Sequence, residues 1–195
     1  QLQVITPERL IATNGLATGV VDAAVLPTPL ELPGLHKRPL WSERSVLVVR
    51  RDHPEVGDRV TRDQFERLRH VEVRVVGENG VGAKLAKSHL HKLGLTRNAA
   101  IIVPHFNAVA IAVAHSDAIG FLPQRFAQAV MRMLPLREVR LPFPAVDFAM
   151  SLGWHDSTDA DVGSQFFREL VYAAFVPEGA DASARRPRRA RARRG

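Results

Sequence analysis

The sequence predicts an α/β protein in which strands and helices alternate along the chain and build largely parallel sheets. Segments with alternating or β-branched apolar residues are followed by segments with helical spacing, at a rhythm typical of such sheets. The 195 residues, 46% apolar and 24% charged, have the composition of a globular protein. This length suits one large domain or two small lobes.

The first part of the chain holds predicted strands at residues 1–5, 20–26 and 45–50. A helix begins at Pro7 after the hydroxyl of Thr6, because proline suits the first helical position. Thr61 and Gln64 have the spacing of a capping box, which predicts a second short helix over residues 62–68.

The middle of the chain repeats the strand–helix alternation. Its predicted strands are residues 70–76, 100–103, 119–122 and 136–141, and its predicted helices are residues 83–93, 106–114 and 124–133. Gly94 ends the first of these helices as a left-handed residue. A strand over residues 146–154 follows, and a helix over residues 159–175, capped by Ser157 or Thr158, closes the folded part. Its apolar residues follow helical spacing and predict a buried stripe: Val162, Phe166, Leu170, Val171, Ala174 and Phe175.

Two lobes are expected, with the chain crossing between them twice. Lobe I comprises residues 1–69 and 143–176, and lobe II comprises residues 70–142. The cleft between two such lobes lies at the carboxyl ends of parallel strands, where α/β folds bind small ligands.

The net charge of +7 comes from the end of the chain. Seven arginines lie in residues 185–195, and the rest of the sequence holds 20 basic and 20 acidic residues. A groove that follows nucleic-acid phosphates needs a positive surplus in the folded part, so the charge does not indicate one. The tail, residues 177–195, has no apolar face to bury and is predicted to be disordered.

The sequence contains no cysteine, which excludes a disulfide scaffold, thiolate catalysis and cysteine-ligated metal sites. The longest uninterrupted apolar stretch is residues 108–114, whereas a membrane-spanning helix needs about 20 residues. No basic segment followed by an apolar core opens the chain, so no secretory signal is expected. These features predict a cytoplasmic protein with no membrane partner.

Residues 77–82, Gly-Glu-Asn-Gly-Val-Gly, lie between a predicted strand and a predicted helix. Free amides at a helix start can hold an anion, which makes Asn79 and Gly80 candidate ligand contacts. The spacing to Lys84 is not that of a phosphate-binding P-loop. A turn without any ligand role explains the same residues, and the sequence leaves both interpretations open.

His105, Phe106 and Asn107 lie where a predicted strand ends and a helix begins. Phe106 can stack on an aromatic ligand, while His105 or the free amides meet a carboxylate. The alternative is that Phe106 belongs to the core and Asn107 only caps the helix. Thr28, after the strand over residues 20–26, can face the cleft from the other lobe or be an ordinary turn residue.

No arrangement of residues demands an enzyme. His89 and His91 point to different faces of a helix, and Asp156, Asp159 and Asp161 lack the spacing of a calcium loop. No serine lies in a nucleophile elbow. We therefore predict no catalytic residue, no metal and no cofactor. The alternative is a small enzyme or binding protein that uses residues 77–82 for a phosphate-bearing ligand.

Several segments together resemble LysR-type transcriptional regulators, in the right order and spacing over residues 1–176. They are residues 16–25 (Leu-Ala-Thr-Gly-Val-Val-Asp-Ala-Ala-Val), 51–54 (Arg-Asp-His-Pro), 61–65 (Thr-Arg-Asp-Gln-Phe), 109–123, which end in Gly-Phe-Leu-Pro, and Trp154-His155. The sequence is most similar to the branch of nodulation and aromatic-degradation regulators, through His53-Pro54, Pro104-His105-Phe106 and Trp154-His155.

The resemblance implies an effector-binding domain with the two-lobed, type II fold of periplasmic binding proteins. A small aromatic or carboxylated inducer would lie between the lobes, contacted by the candidate residues named above, and the domains would pair as homodimers or larger oligomers. The helix-turn-helix segment that reads DNA in this family is not part of the chain. The first strand and helix of the effector domain are also expected to be missing, since residues 1–5 match the second strand.

Overall fold

The computed structural model of the chain describes residues 1–74 and 81–175, and the side chains of all of these except residues 81 and 82. The helices are α1 (Pro7–Ala12), α2 (Arg62–Arg67), α3 (Val81–Lys92), α4 (Phe106–Ala114), α5 (Gln124–Val130) and α6 (Val162–Phe175). The strands are β1 (Ala24–Pro27), β2 (Leu35–Arg50), β3 (Arg69–Val73), β4 (Asn98–Val103), β5 (Ile119–Pro123), β6 (Leu136–Val139) and β7 (Asp147–His155).

Strand β2 belongs to two sheets. Its first part pairs with β7, which also pairs with β1, and these strands form what we call the first sheet. From Ser45 onward β2 pairs with β5 and β6, and β3 joins β5 to β4 to complete the second sheet. The change of partner falls between Arg44, opposite Asp147, and Ser45, opposite Pro123. The chain therefore passes from one sheet to the other without a loop.

The α/β class is confirmed, but the prediction of largely parallel sheets is wrong. Only β3 pairs in parallel with described strands, namely β4 and β5, while the pairings of β1, β2, β6 and β7 are antiparallel. The reason is that β2 crosses between the sheets and runs against each of its partner strands, β5, β6 and β7. Composition does not reveal strand direction.

The second sheet is buried on both faces by helices. One face packs on α4 and α5 through a core that includes Val48, Val109, Val113 and Leu122. The other face packs on α2 and α3, with Phe65 at its centre. Alternate residues of β2 pack into the two different cores, because successive side chains of a strand point to opposite faces of the sheet. The valine-rich end of β2 is an inner strand of this layer, between β6 and β5.

Helix α6 does not bury the apolar stripe that its spacing predicts. Ser164 and Arg168 are its buried residues, whereas Val162, Phe166 and Leu170 are 78%, 66% and 55% exposed. Arg168 is held inside because its guanidinium donates to the carbonyl oxygens of residues 158 and 159 and lies over the Trp154 ring. The orientation of α6 is therefore set by the hydrogen-bond and ring partners of Arg168 rather than by burial of the apolar residues.

Other predictions are confirmed or corrected at the ends of elements. The capping box of Thr61 and Gln64 is formed, and Gly94 has a left-handed φ of 62°. Residues 1–5 form no strand in the structure, and β1 is only four residues long. The cap of α6 is Asp161, whose carboxylate accepts the Ser164 amide at 2.7 Å, rather than Ser157 or Thr158.

The strand pairings show where the chain passes between the two sheets. Residues 45–69 were expected in lobe I, yet Ser45 and the residues after it pair with the second sheet, and Phe65 lies in that sheet's core. The closing strand, from Asp147 onward, pairs in the first sheet. None of the helices in the described ranges is both long and apolar enough to cross a membrane.

Candidate functional site

The carboxyl ends of β3, β4 and β5 meet at one edge of the second sheet. Since these strands are parallel, the residues that follow them share that edge: Arg74 after β3, His105 after β4 and Gln124 after β5. The last residue of β5, Pro123, lies opposite Ser45, at the point where β2 leaves the first sheet. This edge is therefore the one turned towards the first sheet.

His105, Phe106 and Asn107 lie at this edge, where β4 has ended and α4 begins. His105 is exposed, has extended backbone angles and caps α4 without a side-chain hydrogen bond. Phe106 is half-buried and packs against the core under α4, so the core interpretation of this ring holds at least in part. The Asn107 Oδ1 accepts the amide of Ala108 at 2.9 Å, which is a local bond within the first turn.

Thr28 lies on the first sheet, directly after β1. Its hydroxyl oxygen is 2.7 Å from that of buried Ser151, and its amide donates to the Ala149 carbonyl at 2.8 Å. The ammonium group of Lys37 donates to the carbonyl oxygens of Thr28 and Leu30 at 2.8 and 3.0 Å. The loop that carries Thr28 is thus fixed to β7 through Ala149 and Ser151 and to β2 through Lys37.

Asn79 and Gly80 lie outside the described residues, so their assignment stays a prediction. Helix α3 begins at Val81, which agrees with a predicted helix start close to residues 77–82. This agreement does not test a ligand role for Asn79 or Gly80.

Arg125 is a residue of this edge that the sequence analysis missed. It lies in the first turn of α5, is exposed, and its guanidinium is 5.1 Å from the centre of the Trp41 ring. Within the described residues it has no ion-pair partner, unlike Arg38, Arg44 and Arg50. The pattern that selected residues 105–107, a parallel strand followed by a helix start, recurs at residues 123–125 and could have selected Arg125.

A buried carboxylate lies beside Arg125 where β2 changes sheets. Glu43 is 6% exposed, and its oxygens accept the Trp41 indole N–H at 3.1 Å, the Arg44 amide at 3.2 Å and the Arg125 amide at 3.4 Å. A buried acid is stable only when its oxygens are paired in this way. No residue pattern marked Glu43 in advance, because its partners come from separate elements.

Strand β3 carries a charged face towards this edge. Glu72 accepts the Arg74 Nε at 3.1 Å and lies near Arg97, whose guanidinium covers the Phe121 ring at 4.7 Å. Burial lowers the pKa of Arg97, and the Glu72 charge opposes that shift. Below them, burial lowers the pKa of His70 to about 4, although its bond to a backbone carbonyl opposes the shift.

An open pocket of about 580 Å³ lies away from these residues, at the far end of the second sheet. It is lined by Arg50, Arg51, Asp52, Ala114, His115, Ser116, Asp117 and Pro135. Arg50 pairs with Asp52 at 2.6 Å and with Asp117 at 2.7 Å. The charges of these three pocket residues therefore offset one another. In the part of the chain that is described, no cluster of side chains is suited to a metal ion.

Comparison with known proteins identifies the fold. Residues 1–175 match the family model of the LysR substrate binding domain. The HTH-type transcriptional activator NagR of Ralstonia sp is 31% identical over 177 residues, which cover 90% of this chain and 57% of that protein. The HTH-type transcriptional regulator SyrM of Rhizobium etli is 31% identical over 170 residues, covering 87% and 49%. The chain thus spans about half the length of these relatives.

A solved structure agrees with the sequence matches. The probable transcriptional regulator PA0477 from Pseudomonas aeruginosa is similar with a TM-score of 0.73 and 25% identity, over 86% of this chain and 54% of that chain. The predicted type II periplasmic-binding-protein-like fold and the predicted regulator family, rather than an enzyme family, are confirmed. Nodulation protein D 2 of Bradyrhizobium diazoefficiens also matches, as the predicted branch requires. The chain belongs to the LysR substrate binding domain family.

Proposed function

We propose that the chain is the effector-sensing domain of a LysR-type transcriptional regulator and binds a small aromatic or carboxylated molecule between its two sheets. The single observation that carries the proposal is the edge where β3, β4 and β5 end. It faces the first sheet and brings to one side of the molecule an exposed imidazole, an aromatic ring and a guanidinium that has no ion-pair partner among the described residues.

The chemistry of this edge suits an aromatic acid. The guanidinium of Arg125 and the free amides at the start of α4 supply positive charge and donors for a carboxylate. The ring of Phe106 offers an apolar face beside them. Strands of a sheet are about 4.8 Å apart, so β4 and β5, separated by β3, are about 10 Å apart. A benzoate-sized molecule fits between contacts at that distance.

Thr28 and the loop at Asn79 and Gly80 complete the proposed site. Thr28 would contribute from the first sheet, where Lys37 and Ser151 fix its position. Asn79 and Gly80 would contribute amides from the loop that follows β3. The proposal divides the molecule into two lobes at the partner change of β2, between residues 44 and 45.

Calorimetry with a panel of hydroxylated benzoates tests this function. Wild type is compared with Phe106→Ala and Arg125→Met, and Arg132→Met is the control, because Arg132 is exposed just beyond the other end of α5. Loss of a charged hydrogen bond should raise the Kd about tenfold or more in Arg125→Met. The Phe106→Ala variant should also bind more weakly, and the control should bind as wild type does.

Other outcomes of this titration would contradict the proposal. Equal affinity in wild type and both site variants would remove Phe106 and Arg125 from the site. Binding of a sugar phosphate in place of every benzoate would favour the alternative, in which residues 77–82 hold a phosphate-bearing ligand.

The wider role is part of the same proposal. In the full regulator, DNA would be read by a helix-turn-helix segment outside these 195 residues, and the effector would alter its action on transcription. A protein that acts on bacterial DNA works in the cytoplasm, which is where we place it. We also propose that the domain self-associates, through apolar residues that are exposed on β4 and α6.

A further inference from the structure

We infer that Phe175, in the last turn of α6, acts as a positioning residue for Arg125, in the first turn of α5, through a chain of contacts that runs over Trp41 and Glu43. The contacts join the first sheet to the second at the point where β2 changes partners. The contacts themselves do not depend on an effector. Only their role in presenting Arg125 to an effector rests on the proposed function.

The first link is between α6 and β2. The rings of Phe175 and Trp41 are stacked, with their centres 4.9 Å apart and an angle of 21° between their planes. Trp41 follows an irregularity in β2, where the register with β7 shifts between Pro39 and Trp41. The stacked ring fixes the orientation of the indole, because an aromatic pair has a strong preference for offset geometry.

The second link is between the indole and the carboxylate. The Trp41 Nε1 donates to Glu43 Oε2 at 3.1 Å, while the other oxygen, Oε1, accepts the amides of Arg44 and Arg125. Since Glu43 is almost fully buried, it has little water to replace a lost donor. A rotation of the indole therefore disturbs the carboxylate that the α5 amide depends on.

The third link ends at Arg125, which is held at two points. Its amide lies in the first turn of α5, where a helix supplies no carbonyl partner, and Glu43 accepts it instead. Its guanidinium lies over the ring of Trp41, the same residue whose indole N–H donates to Glu43. Phe175 supports the ring, and the ring and Glu43 together fix where the Arg125 charge is presented.

Hydrogen exchange of the α5 amides, measured on the whole chain without effector, tests the inference. Phe175→Ala should speed exchange of the Arg125 amide roughly three- to tenfold, the factor that corresponds to one aromatic pair. Exchange of the Val109 and Ala110 amides in α4 should stay as in wild type. The matched control is Phe166→Ala, because Phe166 belongs to the same helix but is 66% exposed.

Two further variants separate positioning from general damage. Phe175→Leu keeps apolar bulk and loses the stacked ring, so it should show the same effect if Phe175→Ala does not fold. Glu43→Gln keeps one oxygen that can still accept the Arg44 and Arg125 amides, although its NH2 group cannot accept the Trp41 indole N–H, and it should retain more of the Arg125 protection than Glu43→Leu. The inference is overturned if Phe175→Ala and Phe166→Ala leave Arg125 exchange equal, or if α4 and α5 amides speed up alike. A failure of benzoate binding would leave it untouched.

Discussion

His70 is the most completely buried titratable side chain of the second sheet, at 1% exposure. Its Nε2 donates to the Phe65 carbonyl at 2.6 Å, and the Phe65 ring meets it edge-on at a centre distance of 4.7 Å. Burial, with a smaller contribution from the nearby Arg97 charge, lowers its pKa from 6.5 to about 4. The folded protein thus keeps this imidazole neutral where an unfolded chain would protonate it.

We predict that the free energy of unfolding falls as the pH is lowered from about 6.5 to about 4, in part because of His70. The unfolded state takes up the proton first, so the contribution is complete above pH 6.5 and lost towards the folded pKa. A depression of this size corresponds to about 3 kcal/mol. Urea unfolding of wild type and His70→Phe at several pH values measures it.

The control for this titration is His91→Gln, since His91 is exposed on α3. The control should keep the wild-type dependence on pH, whereas His70→Phe should show a shallower one. Identical slopes for all three proteins would contradict a role of His70 in acid sensitivity.

At the scale of elements, β5 and α4 are in close contact at Gly120. A Cβ atom at Gly120 would lie 2.8 Å from Val109 Cγ1 and 2.8 Å from Val113 Cγ2. Both valines are fully buried, and β-branched side chains in a helix have one favoured rotamer. The glycine lets the helix approach the strand, which packs the core below the candidate site.

We predict that Gly120→Ala lowers the free energy of unfolding by about 1–3 kcal/mol, the usual cost of overpacking a core. The two valines have no other rotamer to move into without displacing α4. Chemical denaturation checks this, with Gly57→Ala as the control, because a Cβ there meets open space. Equal stability of the two variants would show that α4 can shift without cost.

At the scale of the whole molecule, strand β4 and helix α6 each expose large apolar side chains. Ile101 and Ile102 lie on β4, which is an edge strand among the described strands of the second sheet, and they are 41% and 50% exposed. Phe166 and Leu170 form part of the exposed stripe of α6. Edge strands and apolar patches of this kind favour association with another chain.

We predict that the chain sediments as a dimer or a larger oligomer at micromolar concentration. Ile102→Asp or Phe166→Asp should shift it towards the monomer, because a charge placed in an apolar interface loses its hydration. The variant with the larger shift identifies the surface used, and Met133→Asp, at an exposed site of the α5–β6 turn, is the control. A monomeric wild type that does not aggregate would contradict self-association.

The sequence determined the α/β class, the order of the elements and most helix starts. These features depend on local chemistry. The Thr61 cap and the Gly94 stop involve residues a few positions apart, and α4 begins at Phe106 because an extended strand end precedes it. The family resemblance rests on the same kind of local pattern, in which apolar spacing and turn residues recur in a fixed order.

Only the tertiary structure decided how these elements meet. The partner change of β2, the burial of Arg168 in place of an apolar stripe, and the cluster of Trp41, Glu43 and Arg125 all join residues from distant parts of the chain. A carboxylate or guanidinium is buried only where several such partners converge, and no spacing within one segment records that convergence. Residues at a strand end can therefore be read from sequence, whereas the partners that fix them follow from strand pairing and packing.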